Sequence, residues 1–369
     1  MNDIIFVNYC FINSFKKNDI SPSFCNNIHN KFSSIVSQCI NIAVYTFKDY
    51  DCYYAANLTI GDSVLTELIG FEGHGTSIKT EQYKPSKQSK LLGKTYVNNV
   101  QVKAFTDTIK IPNFPDTQFL FYGYDSAFSL YKHEMYNAIL DLYYSDKKPK
   151  ESLLYHLKKN NVIDSLSFSF VANSTNKRAG QICFGPPYQY LHEALMYKES
   201  CKRSSNYHMY CSLNSIVFNN EETIFNNTMV KFVDTQFYLS FPENYFKQIK
   251  EKYFDYCHIK RKEVNEPGYI ECTCYYIEKF PEMIITIDEY TYPINLKTIT
   301  IKENKRCKLM IDYNRNNPYD REEYFSIGMG FLQVFNATFF IFDTNSITFY
   351  SDTVHIKKGT NYIENKIIN

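Results

Sequence analysis

FVDTQFYLSFP, residues 232–242, sets Asp234 and Thr235 between β-branched and aromatic residues and closes on Pro242. That pattern reads as strand, tight turn, strand, with an acid at the tip. An isolated Asp in a turn commonly bonds its own backbone, so the meaning of this one depends on its neighbours.

The chain has 369 residues, more than one average domain, which leads to the expectation of two lobes or one large β unit. Lys plus Arg number 40 against 39 Asp plus Glu, a net charge of +1, with no dense basic run to follow a phosphate backbone. Nucleic acid is therefore not an expected partner. Tyr 33 and Phe 30 against Trp 0 favour strands. No run is long and apolar enough to form a membrane-spanning helix, so no integral membrane segment is expected.

Eleven cysteines form no CxxC pair and no zinc-ligand spacing, which favours disulfides over a metal and gives no reason to expect a cofactor. Cys183 sits in an apolar strand pattern and reads as a core thiol. Sequons at Asn57, Asn173, Asn226 and Asn336 agree with a secretory route, as candidate glycosylation sites. The apolar run 4–12 follows Asp3 and lacks a basic flank, so it is not a convincing signal peptide.

Residues 1–45 show neither helical nor strand period and read as an extension or pro-like segment. The run 53–72 reads as a hairpin ending at Glu72, and 100–111 and 118–124 as strands. Leu153, Leu154 and Leu157 share one helical face, and Pro242 opens a second helix carrying Phe246, Ile249 and Tyr253. The second half repeats the plan of the first, which divides the chain into lobes 46–190 and 191–369.

Taken in order, these pieces resemble the pepsin-like aspartic protease family. FVDTQFYLSFP resembles its second active-site loop, hydrophobic-hydrophobic-Asp-Thr-Gly. NAILDLYY (137–144) resembles the hydrophobic-hydrophobic-Gly segment of the first lobe, with Asp141 at the Gly. YFSIGMGF (324–331) resembles its second-lobe copy, keeping Gly328 but with Met329 where an Asp follows. The resemblance implies an all-β, two-lobed fold with short helices and an inter-lobe cleft that takes an extended peptide or protein partner.

In that family two Asp carboxylates share one proton, because like charges so close cannot both ionise, and the charged one activates a water. Asp234 and Thr235 match the second loop, but Gln236 replaces its Gly. Counting without gaps from Tyr54 and Gly61, the first acid falls on Glu72, followed by Gly73 and His74. The resemblance thus implies a degenerate Glu72/Asp234 dyad and a pseudo-protease; the alternatives are a weakly active endopeptidase using that pair and a secreted structural or surface protein. It also implies Tyr96 as the flap tyrosine, a monomer in the secretory-pathway lumen or outside the cell, and a Cys274–Cys307 disulfide. Cys257 with Cys272, and Cys201 with Cys211, are further candidate pairs whose connectivity spacing alone leaves open.

Overall fold

Backbone pairing gathers the described strands into two 13-stranded sheets. The structure is a computed structural model, and it describes residues 39–47, 50–71, 73, 75–97, 100–125, 138–173, 175–176, 178–185, 196–200, 202–203, 209–233, 238–260, 268–288, 290–314, 325–350, 355–358 and 361–362. Glu72, His74, Asp234, Thr235, Gln236 and Cys201 lie outside them, as do residues 1–38.

The first sheet holds the strands of the first half and three from the second. Met196–Ser200, Ser346–Tyr350 and Ala337–Ile341 lead, through Ser167–Ala172 and Ala179–Phe184, to the antiparallel strands Cys39–Phe47, Tyr50–Ile60 and Ser63–Gly70. The sheet ends on the hairpin Val100–Lys110 and Lys90–Val97. Cys39–Phe47, which begins inside the segment read as an extension, is thus a full member of this sheet.

One apolar cluster runs continuously through both halves, from Ile40 to Phe349. Helix α1, Leu153–Lys159, buries Leu153, Leu154 and Leu157 as its 3.6-residue period requires. Helix α2, Glu243–Tyr253, begins directly after Pro242 and buries Phe246 and Ile249. Pro242 has no N–H to leave unpaired at that position, which suits a helix start.

Three disulfides are formed among described cysteines: Cys39–Cys183, Cys257–Cys272 and Cys274–Cys307. The last two match the expected pairs. Cys183 corrects the sequence expectation, since it is no free thiol but the partner of Cys39, its cross-strand neighbour. Cys211 is disulfide-bonded too. None of the described helices is long and apolar enough to cross a membrane.

Candidate active site

The same three-strand motif occurs once in each sheet. In the first, Ser63–Gly70 runs parallel to Ala138–Asp141 with Gly70 opposite Asp141, and Ser77–Lys79 returns antiparallel on its other side with Ser77 opposite Ile139. In the second, Glu221–Val233 runs parallel to Phe325–Gly328 with Val233 opposite Gly328, and Leu239–Pro242 returns with Ser240 opposite Ser326. Both returning strands also pair in parallel with a fourth, Thr117–Tyr124 in one case and Arg306–Asn314 in the other.

The loops between these strands have equal length. Gly70 to Ser77 and Val233 to Ser240 each span seven steps between pairings that match across the two motifs. Asp234 follows Val233, and Phe71 follows Gly70. The register therefore sets Phe71, and not Glu72, against Asp234 in the internal repeat.

Phe71 is an apolar core residue, 5% exposed. Its ring centroid lies 5.9 Å from that of Phe168 and 5.2 Å from that of Phe340. Those two rings stack at 4.8 Å, because Phe168 and Phe340 face each other on adjacent strands. Phe232, two residues before Asp234, meets Phe340 edge-on at 6.0 Å. Aromatic rings thus pack around Phe71 and against the strand that leads to Asp234, and pairs in this geometry add about 0.5–1.5 kcal/mol each to their burial.

The first loop is closed by its own neighbour. Asp141 is buried and accepts hydrogen bonds from the N–H of Gly75 at 2.7 Å and of Tyr143 at 2.9 Å, while its own N–H donates to the Thr76 hydroxyl at 3.1 Å. A carboxylate held by backbone donors in this way is fixed within the loop. Gly75 must be glycine, since φ is +77° and a Cβ would sit 2.8 Å from the Tyr122 ring. Beside the loop lies a polar cavity of about 10 Å³, room for one water, lined by Asp141, Lys148, Glu151 and Ser152 among others.

The second motif carries a different buried acid. Asp312 accepts a hydrogen bond from the Ser240 hydroxyl, and burial pushes its carboxyl up to about 7 against that bond. Tyr96 stands one residue before Val97, which pairs with Val100 at the hairpin end, and is 66% exposed; the Gln101 side-chain amide reaches its hydroxyl at 3.4 Å. Asn57 is exposed on its strand and accepts from Thr66 at 2.8 Å. Asn173 caps its own turn through Thr175 and Asn176, and Asn226 lies in the strand Glu221–Val233. No group of acids, histidines and cysteines that could hold a metal occurs among the described residues.

A family model described as eukaryotic aspartyl protease matches residues 84–351. The chain belongs to the eukaryotic aspartyl protease family. No curated protein matches it at a significant level. Among solved structures, conglutin gamma, described as a unique basic 7S globulin from lupine seeds, is similar at a TM-score of 0.64 and 14% identity, over 86% of this chain and 96% of that one. Basic 7S globulin from soybean is similar at a TM-score of 0.63 and 13% identity, over 86% and 97%. At such identities these two establish the pepsin-like fold and nothing more.

Within an aspartyl protease fold, Phe71, Asp141 and the Phe168–Phe340 stack were not singled out from sequence as parts of one site. Asp141 was visible as a departure from the family's Gly. Phe71 was hidden because gapless counting from Gly61 relies on spacing along the chain, whereas strand register puts Phe71, one residue earlier, at the matching place.

Proposed function

We propose that this aspartyl protease relative is a pseudo-protease that binds an extended peptide or protein segment in the cleft between lobes 46–190 and 191–369 without cutting it. The observation that carries this reading is Phe71. A dyad needs two carboxyls across one water, and a buried phenyl ring at the position matching Asp234 can neither share the proton nor orient the water. Glu72 is one residue out of that register, and a displacement of about 1 Å in a catalytic group already costs roughly two orders of magnitude in rate. The disulfides support an oxidising compartment, which with the exposed Asn57 favours a secreted protein.

The purified protein is expected to show no pepstatin-sensitive cleavage of unfolded protein at acidic pH. Phe71→Asp combined with Gln236→Gly is the variant expected to gain activity, whereas Glu72→Asp with Gln236→Gly gains none. Robust cleavage by the unmodified protein, abolished by Asp234→Ala, overturns the proposal. For binding, peptides selected by display against the folded protein are expected to slow amide exchange in the hairpin Lys90–Val97 and Val100–Lys110. Selection that enriches nothing over an unrelated β protein counts against the cleft as a binding site.

A further inference from the structure

The two second-lobe disulfides share one face of one strand pair. Cys272 lies directly opposite Cys307 in the antiparallel pairing of Tyr269–Thr273 with Arg306–Asn314, yet each is bonded elsewhere, Cys272 to Cys257 and Cys307 to Cys274. Directly opposed residues point to the same face, with Cα atoms about 4.5–5.5 Å apart, inside the range of about 4.4–6.8 Å that a disulfide spans. Cys274 is two residues beyond Cys272, just past the last strand pair Thr273–Arg306, and its N–H bonds the Lys305 carbonyl at 3.0 Å. Four cysteines thereby meet at one end of this strand pair, with an unused Cys272–Cys307 pairing already in register.

Exposure orders the chemistry. Cys257, Cys272 and Cys307 are buried, and Cys274 is partly exposed. A small thiolate from solvent therefore meets Cys274 first.

We propose that this cluster is a thiol-triggered disulfide switch that moves between two complete pairings, Cys257–Cys272 with Cys274–Cys307 and Cys272–Cys307 with Cys257–Cys274. The incoming thiolate bonds to Cys274 Sγ, the Cys274–Cys307 bond breaks, and Cys307 leaves as thiolate. Cys307 attacks Cys272 Sγ across the strand pair, forming Cys272–Cys307 and releasing Cys257 as thiolate. Cys257 then attacks the mixed disulfide at Cys274, forming Cys257–Cys274 and returning the small thiolate. No net oxidation or reduction occurs, and a monothiol of the glutathione class acts as catalyst.

The exchange reaches the second loop through the sheet. Cys307 is on the strand whose Ile311 and Asp312 pair with Leu239 and Ser240, immediately after the loop that carries Asp234. Cys257 follows α2, so the new pairing also changes how the end of that helix is tied to the sheet.

The folded full-length chain carrying Cys274→Ser isolates the central step, because it leaves Cys307 without its partner. Alkylation under native conditions, followed by denaturation and peptide mass mapping, is expected to find the free thiol on Cys257 with Cys272 bonded to Cys307. Recovery of the free thiol on Cys307 with Cys257–Cys272 intact overturns the proposal. In the unmodified protein, reduced glutathione under argon is expected to produce the Cys272–Cys307 bond, located by fragmentation between Cys272 and Cys274, while circular dichroism stays native. Persistence of the original pairs, or simple reduction of Cys274–Cys307 alone, overturns it equally.

Discussion

At the scale of single residues, Glu67 is a buried carboxyl that destabilises the fold once it ionises. It is 0% exposed, both carboxyl oxygens lack a hydrogen-bond partner, and burial pushes its carboxyl from 4.5 up to about 8. It lies on the face of its strand shared by Leu65 and Ile69, opposite Ala56 and Ala138, whose small side chains leave it room. A folded-state value raised above the unfolded one gives stability that is complete below about 4.5 and lost as pH rises to about 8. By linkage the loss is on the order of 3–5 kcal/mol. Glu67→Gln should flatten that dependence, so denaturant midpoints at pH 5 and pH 8 should converge for the variant and diverge for the parent. Parallel pH dependences for the two proteins would remove Glu67 as the cause. Phe71→Ala should cost ~3–5 kcal/mol, as for other buried rings, with the loss seen in the same denaturation measurement.

Among elements, the two-residue turn at Gly61 and Asp62 decides most. Gly61 has φ +60°, and a Cβ there would sit 2.5 Å from Asp107 Oδ2 and 2.7 Å from the Lys84 carbonyl oxygen. Asp107 is the anchor of that corner: burial works to raise its carboxyl, but hydrogen bonds from Ser86, Tyr83 and two backbone N–H groups prevail and hold it below the usual range. Gly61→Ala should therefore destabilise by more than the ~1 kcal/mol of left-handed strain, on the order of 2–4 kcal/mol once the clash is added. A melting temperature within a degree of the parent would show that the corner yields freely.

For the whole molecule, the decisive ties run between distant parts of the chain. Gln333 donates to the Tyr54 hydroxyl and to the Ala179 carbonyl at 3.1 Å, and Arg178 pairs with Glu303 at 3.2 Å, so both halves hold the first sheet. Cys39–Cys183 closes a separation of 144 residues, against 15 for Cys257–Cys272. On chain-entropy grounds the longer closure restricts the unfolded chain more, with removal costing roughly 4–5 kcal/mol against about 3 for the shorter loop. Cys39→Ser with Cys183→Ser should accordingly lower the unfolding midpoint further than Cys257→Ser with Cys272→Ser. Equal shifts would mean that native-state geometry, not loop length, governs the pair.

The family, the β-rich plan and both short helices were legible in the sequence, because each depends on local pattern: the period of Leu153, Leu154 and Leu157, Pro242 before a helix, the order of the motifs around Asp234 and Gly328; the Cys274–Cys307 disulfide came from the family resemblance, and Cys257–Cys272 was a candidate that spacing left open. Which residue of the first repeat matches Asp234 was not legible. Spacing along a chain counts through turns, while the match of a residue across a repeat is set by backbone hydrogen bonds in register, and a difference of one residue in that count exchanges Phe71 for Glu72. Cys39 was hidden for a different reason: the alternation of Ile40, Ile42 and Val44 is short and follows an aperiodic stretch, and it is fixed as a strand by pairing with Ala179–Phe184 and Tyr50–Ile60. Local chemistry named the fold; only the pairing of distant strands decided that a phenyl ring, Phe71, stands in the place that matches Asp234.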